Sequence, residues 1–329
     1  MKRFSSSVVA LLIAAMAAAS AGAQTTSSSS GQAYPAKPIR LVVSFPPGGA
    51  TDTFSRVLAA EMTQSFGQQV LVENRPGAGT IIAAELVVKA APDGYTLLFT
   101  DLSTHAITGS IYTKLKYNPL RDFAAVSAVN SSPLLLVAHP SVNVKSVREL
   151  VALAKRHPGI TFGNSGIGTV THMTAEKFRL RAGIQVTPVS YKGGALPVTA
   201  LLSGEIAMVM ATVPASIQHV QRRRLVALGL AAVRRSPFLP DIPAIGETLK
   251  GVEGAVISGV LAPGGTPREV IERLNAEFAK ASESPKAKEV FAANAAETLK
   301  MNPSEVQRSL ERDAKEWAEV VKATGVTAN

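Results

Sequence analysis

The amino-acid sequence predicts an α/β fold divided into two domains, and three observations carry that expectation. The chain has 329 residues, more than the roughly 100–200 of one typical domain. Hydrophobic residues make up 46% against 18% charged, which supports a buried core and excludes a disordered or collagenous chain. From Ile39 onward, short β-branched runs alternate with helical patterns, as parallel strands covered by helices require.

The N-terminus comes first and reads as an address. Lys2 and Arg3 precede a 12-residue apolar stretch at 8–19, and Ala21-Gly22-Ala23 forms an A-x-A cleavage site. A bilayer core needs about 20 apolar residues, so a secretory signal over 1–23, removed after Ala23, is expected instead of a membrane helix. Residues 24–33, which include the polar run 25–30, are expected to form a flexible N-terminal segment. Removing 1–23 takes away two of the 34 basic residues and none of the 24 acidic ones, which leaves an excess of eight positive charges. These charges are scattered, and an exported protein does not meet nucleic acid, so no nucleic-acid partner is expected. The one basic run, Arg222-Arg223-Arg224, reads as a solvated turn that closes a helix.

Strands are expected at 39–45, 69–73, 95–100, 134–138, 160–163, 185–189, 206–210 and 225–230. Runs such as Ile206-Ala207-Met208-Val209-Met210 are apolar on both faces, as a strand between two helical layers must be. Between the first two strands, Phe54, Val57, Leu58, Met62 and Phe66 share one helical face, and Gly67 is placed to end that helix. Ser146-Val147-Arg148-Glu149 and Thr266-Pro267-Arg268-Glu269 both fit capping boxes, the second with proline at the first helical position. Asn302-Pro303 opens a last long helix that keeps its period until Gly325, with Trp317 as a core anchor. The alternation breaks at 122–133 and again at 251–259. These breaks are expected to be crossovers, making 34–130 with 253–329 one discontinuous domain and 131–252 the other.

There is no cysteine, which excludes disulfides, thiolate metal sites and a cysteine nucleophile. The five histidines, His105, His139, His157, His172 and His219, show no zinc-ligand spacing, so neither metal nor cofactor is expected. In a parallel α/β sheet, ligands sit beyond the carboxyl ends of the strands, which directs attention to three loops. In Phe45-Pro46-Pro47-Gly48-Gly49-Ala50-Thr51-Asp52, the glycines permit close backbone approach and the following helix start offers unpaired N–H groups to an anion. A tight turn capped by Thr51 or Asp52 would satisfy the same residues. Gly163-Asn164-Ser165-Gly166-Ile167-Gly168-Thr169 has no lysine for a phosphate loop, carries Thr171 where a dinucleotide fingerprint needs glycine, and carries Ile167 where a nucleophile elbow needs glycine. His172 after it reads more readily as a capping or packing histidine than as a catalyst. In Ser190-Tyr191-Lys192-Gly193-Gly194 a hydroxyl and a cation are available, although the lysine stem can equally lie on the tyrosine ring. These loops supply no nucleophile, base and orienting acid together, which favours binding over catalysis.

Taken in order, Tyr34-Pro35-Ala36-Lys37-Pro38-Ile39-Arg40, the Pro-Gly loop, Val72-Glu73-Asn74-Arg75-Pro76-Gly77-Ala78-Gly79, Gly168-Thr169 with His172, Tyr191-Lys192-Gly193-Gly194 and Ala262-Pro263-Gly264-Gly265-Thr266-Pro267 resemble the Bug-type extracytoplasmic receptors of tripartite tricarboxylate transporters. The resemblance implies a monomeric two-domain periplasmic binding protein of type II-like fold, each domain a mainly parallel sheet flanked by helices. It further implies that the protein closes its cleft on a small carboxylate without catalysis and passes it to membrane transporter subunits. By position it implies one wall of Pro47, Gly48, Gly49, Thr51 and Asp52, with the 101–105 loop and its Ser103 and Thr104 beside it. The opposing wall would be Asn164, Ser165, Gly168, Thr169, His172 and Tyr191. Where the family pattern has a proline, a helix aspartate and a Val-Asp pair, this chain has Leu196, Ala200 and Ile206-Ala207, an exchange expected to make the second wall more apolar. Two other classes fit an exported chain: a sensor that presents its ligand to a signalling partner, and a hydrolase.

Overall fold

The computed structural model describes residues 34–328. The signal peptide expected at 1–23 and the segment 24–33 lie outside the described residues; among those described, no helix is long and apolar enough to cross a membrane. The elements run β1 (Ile39–Val43), α1 (Ala50–Phe66), β2 (Val70–Asn74), α2 (Ile81–Val88), β3 (Thr96–Asp101), α3 (Leu102–Ile111) and β4 (Phe123–Ala138). They continue with α4 (Val147–Arg156), β5 (Ile160–Asn164), α5 (Val170–Ala182), β6 (Val186–Ser190), α6 (Ala195–Leu202), β7 (Met208–Thr212), α7 (Val213–Gln221) and β8 (Val226–Leu230). The chain closes with β9 (Ala255–Pro263), α8 (Arg268–Ser282), α9 (Pro285–Ala293), β10 (Glu297–Thr298) and α10 (Pro303–Thr324).

The strands are ordered β2-β1-β3-β9-β4-β7-β5-β6, with β8 and β10 also paired to β4. The expected parallel pairing occurs in two groups, β2-β1-β3 and β7-β5-β6. Between them lie β9 and β4, which pair antiparallel with each other and with their outer neighbours β3 and β7. The breaks in alternation at 122–133 and 251–259 fall on these two long strands. Phe123–Pro133 of β4 pairs with β9, whereas Leu134–Ala138 of the same strand pairs with β7 and β8. The register shifts twice where β4 meets β9, at Ala125/Ser127 and Ala128/Asn130, and such bulges bend a strand. One continuous strand can thereby serve both groups. Ala-Val-Asn-Ser-Ser-Pro at 128–133 looks like a loop in sequence because its side chains are small or polar, yet Asn130, Ser132 and Ser258 are buried in the ladder.

Among the described residues, hydrophobic clusters accompany both strand groups. One gathers Val42, Leu98, Leu102, Leu261, Val306 and Leu310. The other gathers Leu135, Val137, Leu201, Val209, Ile217 and Leu230, together with Ala295 from the later part of the chain.

Local punctuation agrees with the sequence at most ends. Gly67 and Gly325 terminate α1 and α10 in the left-handed conformation, and Asn302 with Glu305 forms a capping box on α10. Ser146 caps α4 by accepting from the Glu149 amide at 3.2 Å. The expected box at Thr266 is absent: Pro267 is itself the N-cap of α8, and the Thr266 hydroxyl donates to the Pro263 carbonyl at 2.8 Å, tying off the preceding turn. Arg222, Arg223 and Arg224 are exposed in the turn after α7. Trp317 is buried, and the Lys177 ammonium sits 4.5 Å from its ring centroid, joining α5 to α10.

The helix that begins at the Pro-Gly loop is held by aromatic packing. Phe54 of α1 is fully buried and meets Phe291 of α9 edge to face, with centroids 5.4 Å apart. Phe54→Ala removes that contact and leaves a cavity, so urea unfolding should show a loss of about 3–5 kcal/mol. A loss below 1 kcal/mol would mean that α1 is held from elsewhere.

Candidate binding site

The first wall starts where β1 ends. The chain leaves through Ser44–Gly49 and turns into α1, whose N-cap is Gly49, with φ −95° and ψ 177° and no side-chain cap. Neither Thr51 nor Asp52 caps this helix, so the first-turn amides of Ala50 and Thr51 have no partner within it. Asp52 turns back instead: its carboxylate accepts from the Gly48 amide (3.2 Å), Arg56 Nε (2.9 Å) and Asn74 Nδ2 (3.0 Å). Burial alone would raise the Asp52 pKa, but these hydrogen bonds and the Arg56 charge together hold it below the ordinary carboxylate value. Asn74 also donates to the Phe45 carbonyl at 2.9 Å. The Asn-Arg-Pro-Gly motif therefore braces the Pro-Gly loop from the side.

Beside this loop, β3 runs directly into α3, so residues 101–105 form a helix start where a loop was expected. Asp101 is buried and is the N-cap of α3, accepting from the Ser103 and Thr104 amides at 3.2 Å, the Thr104 hydroxyl, and the Ile257 amide of β9 at 3.1 Å. Burial pushes its pKa up to about 6, against the hydrogen bonds that favour the charged form. His105 belongs to the core. Its Nε2 lies 2.8 Å from the Pro119 carbonyl, and burial pushes its pKa down to about 4, so at neutral pH it is uncharged and Nε2–H donates to that carbonyl.

The second wall is the 165–169 loop between β5 and α5. Thr169 is the N-cap of α5, and its hydroxyl donates to the Gly166 carbonyl at 2.7 Å. The Ser165 and Thr171 hydroxyls lie 2.6 Å apart. Asn164 Oδ1 accepts from the Gly166 amide at 2.9 Å, while its buried Nδ2 has no partner. His172 Nδ1 accepts from the Gly168 amide at 3.2 Å, which requires the neutral ring, and burial lowers its pKa accordingly. His172 thus shapes the loop.

The walls meet. The Val170 amide donates to Thr104 Oγ1 at 3.0 Å, linking α5 to α3. Gly193 lies so close to Pro46 that any side chain there would collide with the proline ring, and its φ of 113° already demands glycine. Two adjoining spaces remain. The inner one, about 20 Å³, is bounded by Gly49, Ala50, Thr51, Asp101, Thr104, Ser165, Thr169 and Thr212. The outer one, about 630 Å³, shares Phe45, Ser165 and Thr169 with it and extends past Pro46, Gly77–Thr80, Ile82, Tyr112, Ile167, Tyr191 and Lys192.

Of the residues expected from sequence, Gly49, Thr51, Thr104, Ser165, Thr169 and Tyr191 line this crevice. Pro47 and Gly48 are exposed outside its lining, and Asp52, Asn164, Gly168 and His172 make the internal bonds described above. Ser103 borders a different cavity of about 500 Å³, which lies around Lys177 and Trp317. Leu196, Ala200 and Ala207 do not line the crevice either: Ala207 lies at the opposite end of β7 from Thr212, so the exchanges there do not make this wall more apolar. Ala78–Thr80, Ile82, Tyr112, Ile167 and Thr212 were not anticipated. Of these, Ile167 lies in one of the three loops singled out from sequence, and Ala78 and Gly79 lie in a motif quoted for the resemblance; the others carried no signal.

Two parallel strand groups joined by two long antiparallel strands, with a crevice between loops at strand ends, define a two-domain binding protein of the periplasmic type. Solved structures agree: the periplasmic binding protein BugD superposes with a TM-score of 0.84 at 30% identity, covering 90% of this chain and 100% of that one. R. palustris Rpa4515 with adipate gives 0.86 at 31% (90% and 99% covered), and MatC from Rhodopseudomonas palustris with bound malate gives 0.81 at 29% (88% and 100%). Protein BugT of Bordetella pertussis is 36% identical over 301 residues, 90% of this chain and 92% of BugT. Residues 54–326 match the tripartite tricarboxylate transporter family receptor, and the chain belongs to that family, which is one of solute-binding receptors.

Thr104→Val removes the acceptor that joins the walls and leaves the Val170 amide buried and unpaired, at a cost of about 1–3 kcal/mol to the contact between α3 and α5. Solution scattering of the ligand-free variant should give a larger radius of gyration than the parent. An unchanged radius would show that this bond does not hold the walls together.

Proposed function

We propose that this chain is a periplasmic receptor that captures a small organic carboxylate and delivers it, as a monomer and without catalysis, to the membrane subunits of a tripartite transporter. The observation that carries the reading is the uncapped start of α1, whose free amides border the inner space. A helix N-terminus offers orphan donors and a positive dipole end, so it holds an anion without an arginine. No arginine borders either space, and Lys192, which borders the outer one, is exposed. The inner space fits a carboxylate head. The bound adipate and malate of the two Rhodopseudomonas proteins support the ligand class.

Capture requires the walls to part and close. We assign the moving bodies as 34–130 with 253–329 and 131–252, with β4 and β9 passing between them as the hinge. The pairing of one half of β4 with β9 and of the other half with β7 and β8 supports this division. A receptor with this role works outside the cytoplasm, in keeping with the signal read at 1–23. The exported protein should give an intact mass that starts at Gln24, whereas a mass retaining Met1 would overturn cleavage after Ala23.

The anion site is tested by the order of two variants. Gly49 has extended backbone angles that any residue adopts, and a Cβ there meets nothing within 4 Å, so Gly49→Val should fold normally and fill the inner space. Calorimetry with the best binder from a panel of mono-, di- and tricarboxylates should show at least about a tenfold loss of affinity for Gly49→Val. For Lys192→Ala a loss of roughly threefold or less is expected. The reverse order would assign the carboxylate to the lysine.

A further inference from the structure

The two spaces differ in size and chemistry, and that difference bears on the ligand. The inner one, at about 20 Å³, has room for a carboxylate head and nothing more. The outer one, at about 630 Å³, falls within the ~300–1,000 Å³ of small-molecule sites and opens from the inner one past Phe45, Ser165 and Thr169. A ligand whose head sits on α1 has to place its remaining atoms there.

The outer space is apolar on both sides. Ile82 of α2, 50% exposed, and Ile167 of the 165–169 loop, 46% exposed, are among the few large hydrophobic side chains that solvent reaches, and both border this cavity from opposite walls. Large apolar side chains gathered around one cavity mark surface that a partner covers. Tyr112 borders the same cavity. Among the residues bordering the cavity only Lys192 is charged, and it is exposed, so a second carboxylate deep in this space would be desolvated without a fixed cation.

The wall between Pro76 and Ile82 is also strained. Ala78 and Thr80 hold φ of 46° and 86°, in the left-handed region that non-glycine residues avoid. Such strain concentrates at ligand clamps. Thr80 is 1% exposed, borders the cavity, and its hydroxyl has no partner. That hydroxyl could meet a polar but uncharged substituent.

We propose that the ligand of this receptor is a monocarboxylate with an apolar body of about six carbons or more, as a chain or a ring, seated between Ile82, Tyr112 and Ile167. The proposal rests on the reading of the α1 start as the carboxylate site. It excludes compact, multiply charged acids as the preferred ligand.

Calorimetry on the mature chain with butanoate, hexanoate, benzoate, adipate, malate and citrate tests it. Affinity should rise roughly fourfold per methylene from butanoate to hexanoate, the value of a buried methylene. Benzoate should bind, and adipate should bind no more tightly than hexanoate. In Ile167→Ser, whose substitution is at an exposed position, and in Ile82→Ser, the ratio of hexanoate to butanoate affinity should fall toward one, with circular dichroism reporting an intact fold. Malate, citrate or adipate binding more tightly than hexanoate and benzoate would overturn the proposal and leave the carboxylate reading standing. So would a chain-length ratio indifferent to both isoleucine variants. Binding of none of the six acids would remove both.

Discussion

The buried carboxylate of Asp101 is the interaction on which both walls of the crevice depend. It sits at the carboxyl end of β3 with no basic partner in its contacts, and its charge is met by the Ser103, Thr104 and Ile257 amides and by the Thr104 hydroxyl. A helix N-terminus is where such a charge is tolerated without a counterion. Each bond ties down a different part: two fix the start of α3, one fixes β9 as it passes, and one fixes Thr104. With its proton committed to Asp101, the Thr104 hydroxyl presents a lone pair to the Val170 amide of the opposing wall. Strand, helix, crossing strand and facing wall are thereby joined through one side chain.

The charged and titratable residues near the crevice serve the loops more than the ligand. Asp52, Arg56 and Asn74 form a small network that holds Gly48 and Phe45 in place, and His172 does the same for Gly168. The consequence is a braced pair of loops, and in the proposed binding mode a ligand would meet backbone amides already aimed and lose less ordering entropy. Asp52 and His172 both accept hydrogen bonds from amides of the loops beside them.

Much of the fold was legible in the sequence, because periodicity and punctuation are local. Eight strands were expected and each lies within a residue or two of its predicted place, apart from the N-terminal extension of β4. That extension and β9 were read as interruptions. Their polar and small residues, Asn130, Ser131, Ser132 and Ser258 among them, are acceptable in a strand only because neighbouring strands exist on both sides. Pairing of this kind joins residues more than a hundred positions apart, and no window of sequence contains it. The capping box missed at Thr266 is the same lesson in small, since the hydroxyl found a nearer carbonyl.

By itself, the sequence determined the α/β alternation, the positions of the strand-end loops, the family pattern and the uncharged character of the Pro-Gly loop. Those are properties of contiguous residues, and their chemistry is present wherever they fold. Tertiary structure decided which loop residues face the crevice and which turn inward to brace it, that Ser103 and Ala207 stand outside it, and that Ile82, Tyr112 and Ile167 enclose one apolar space. Residue type cannot distinguish a hydroxyl or carboxylate spent on its own loop from one left free. Only the placement of its partner does, and that placement is set by packing across the whole chain.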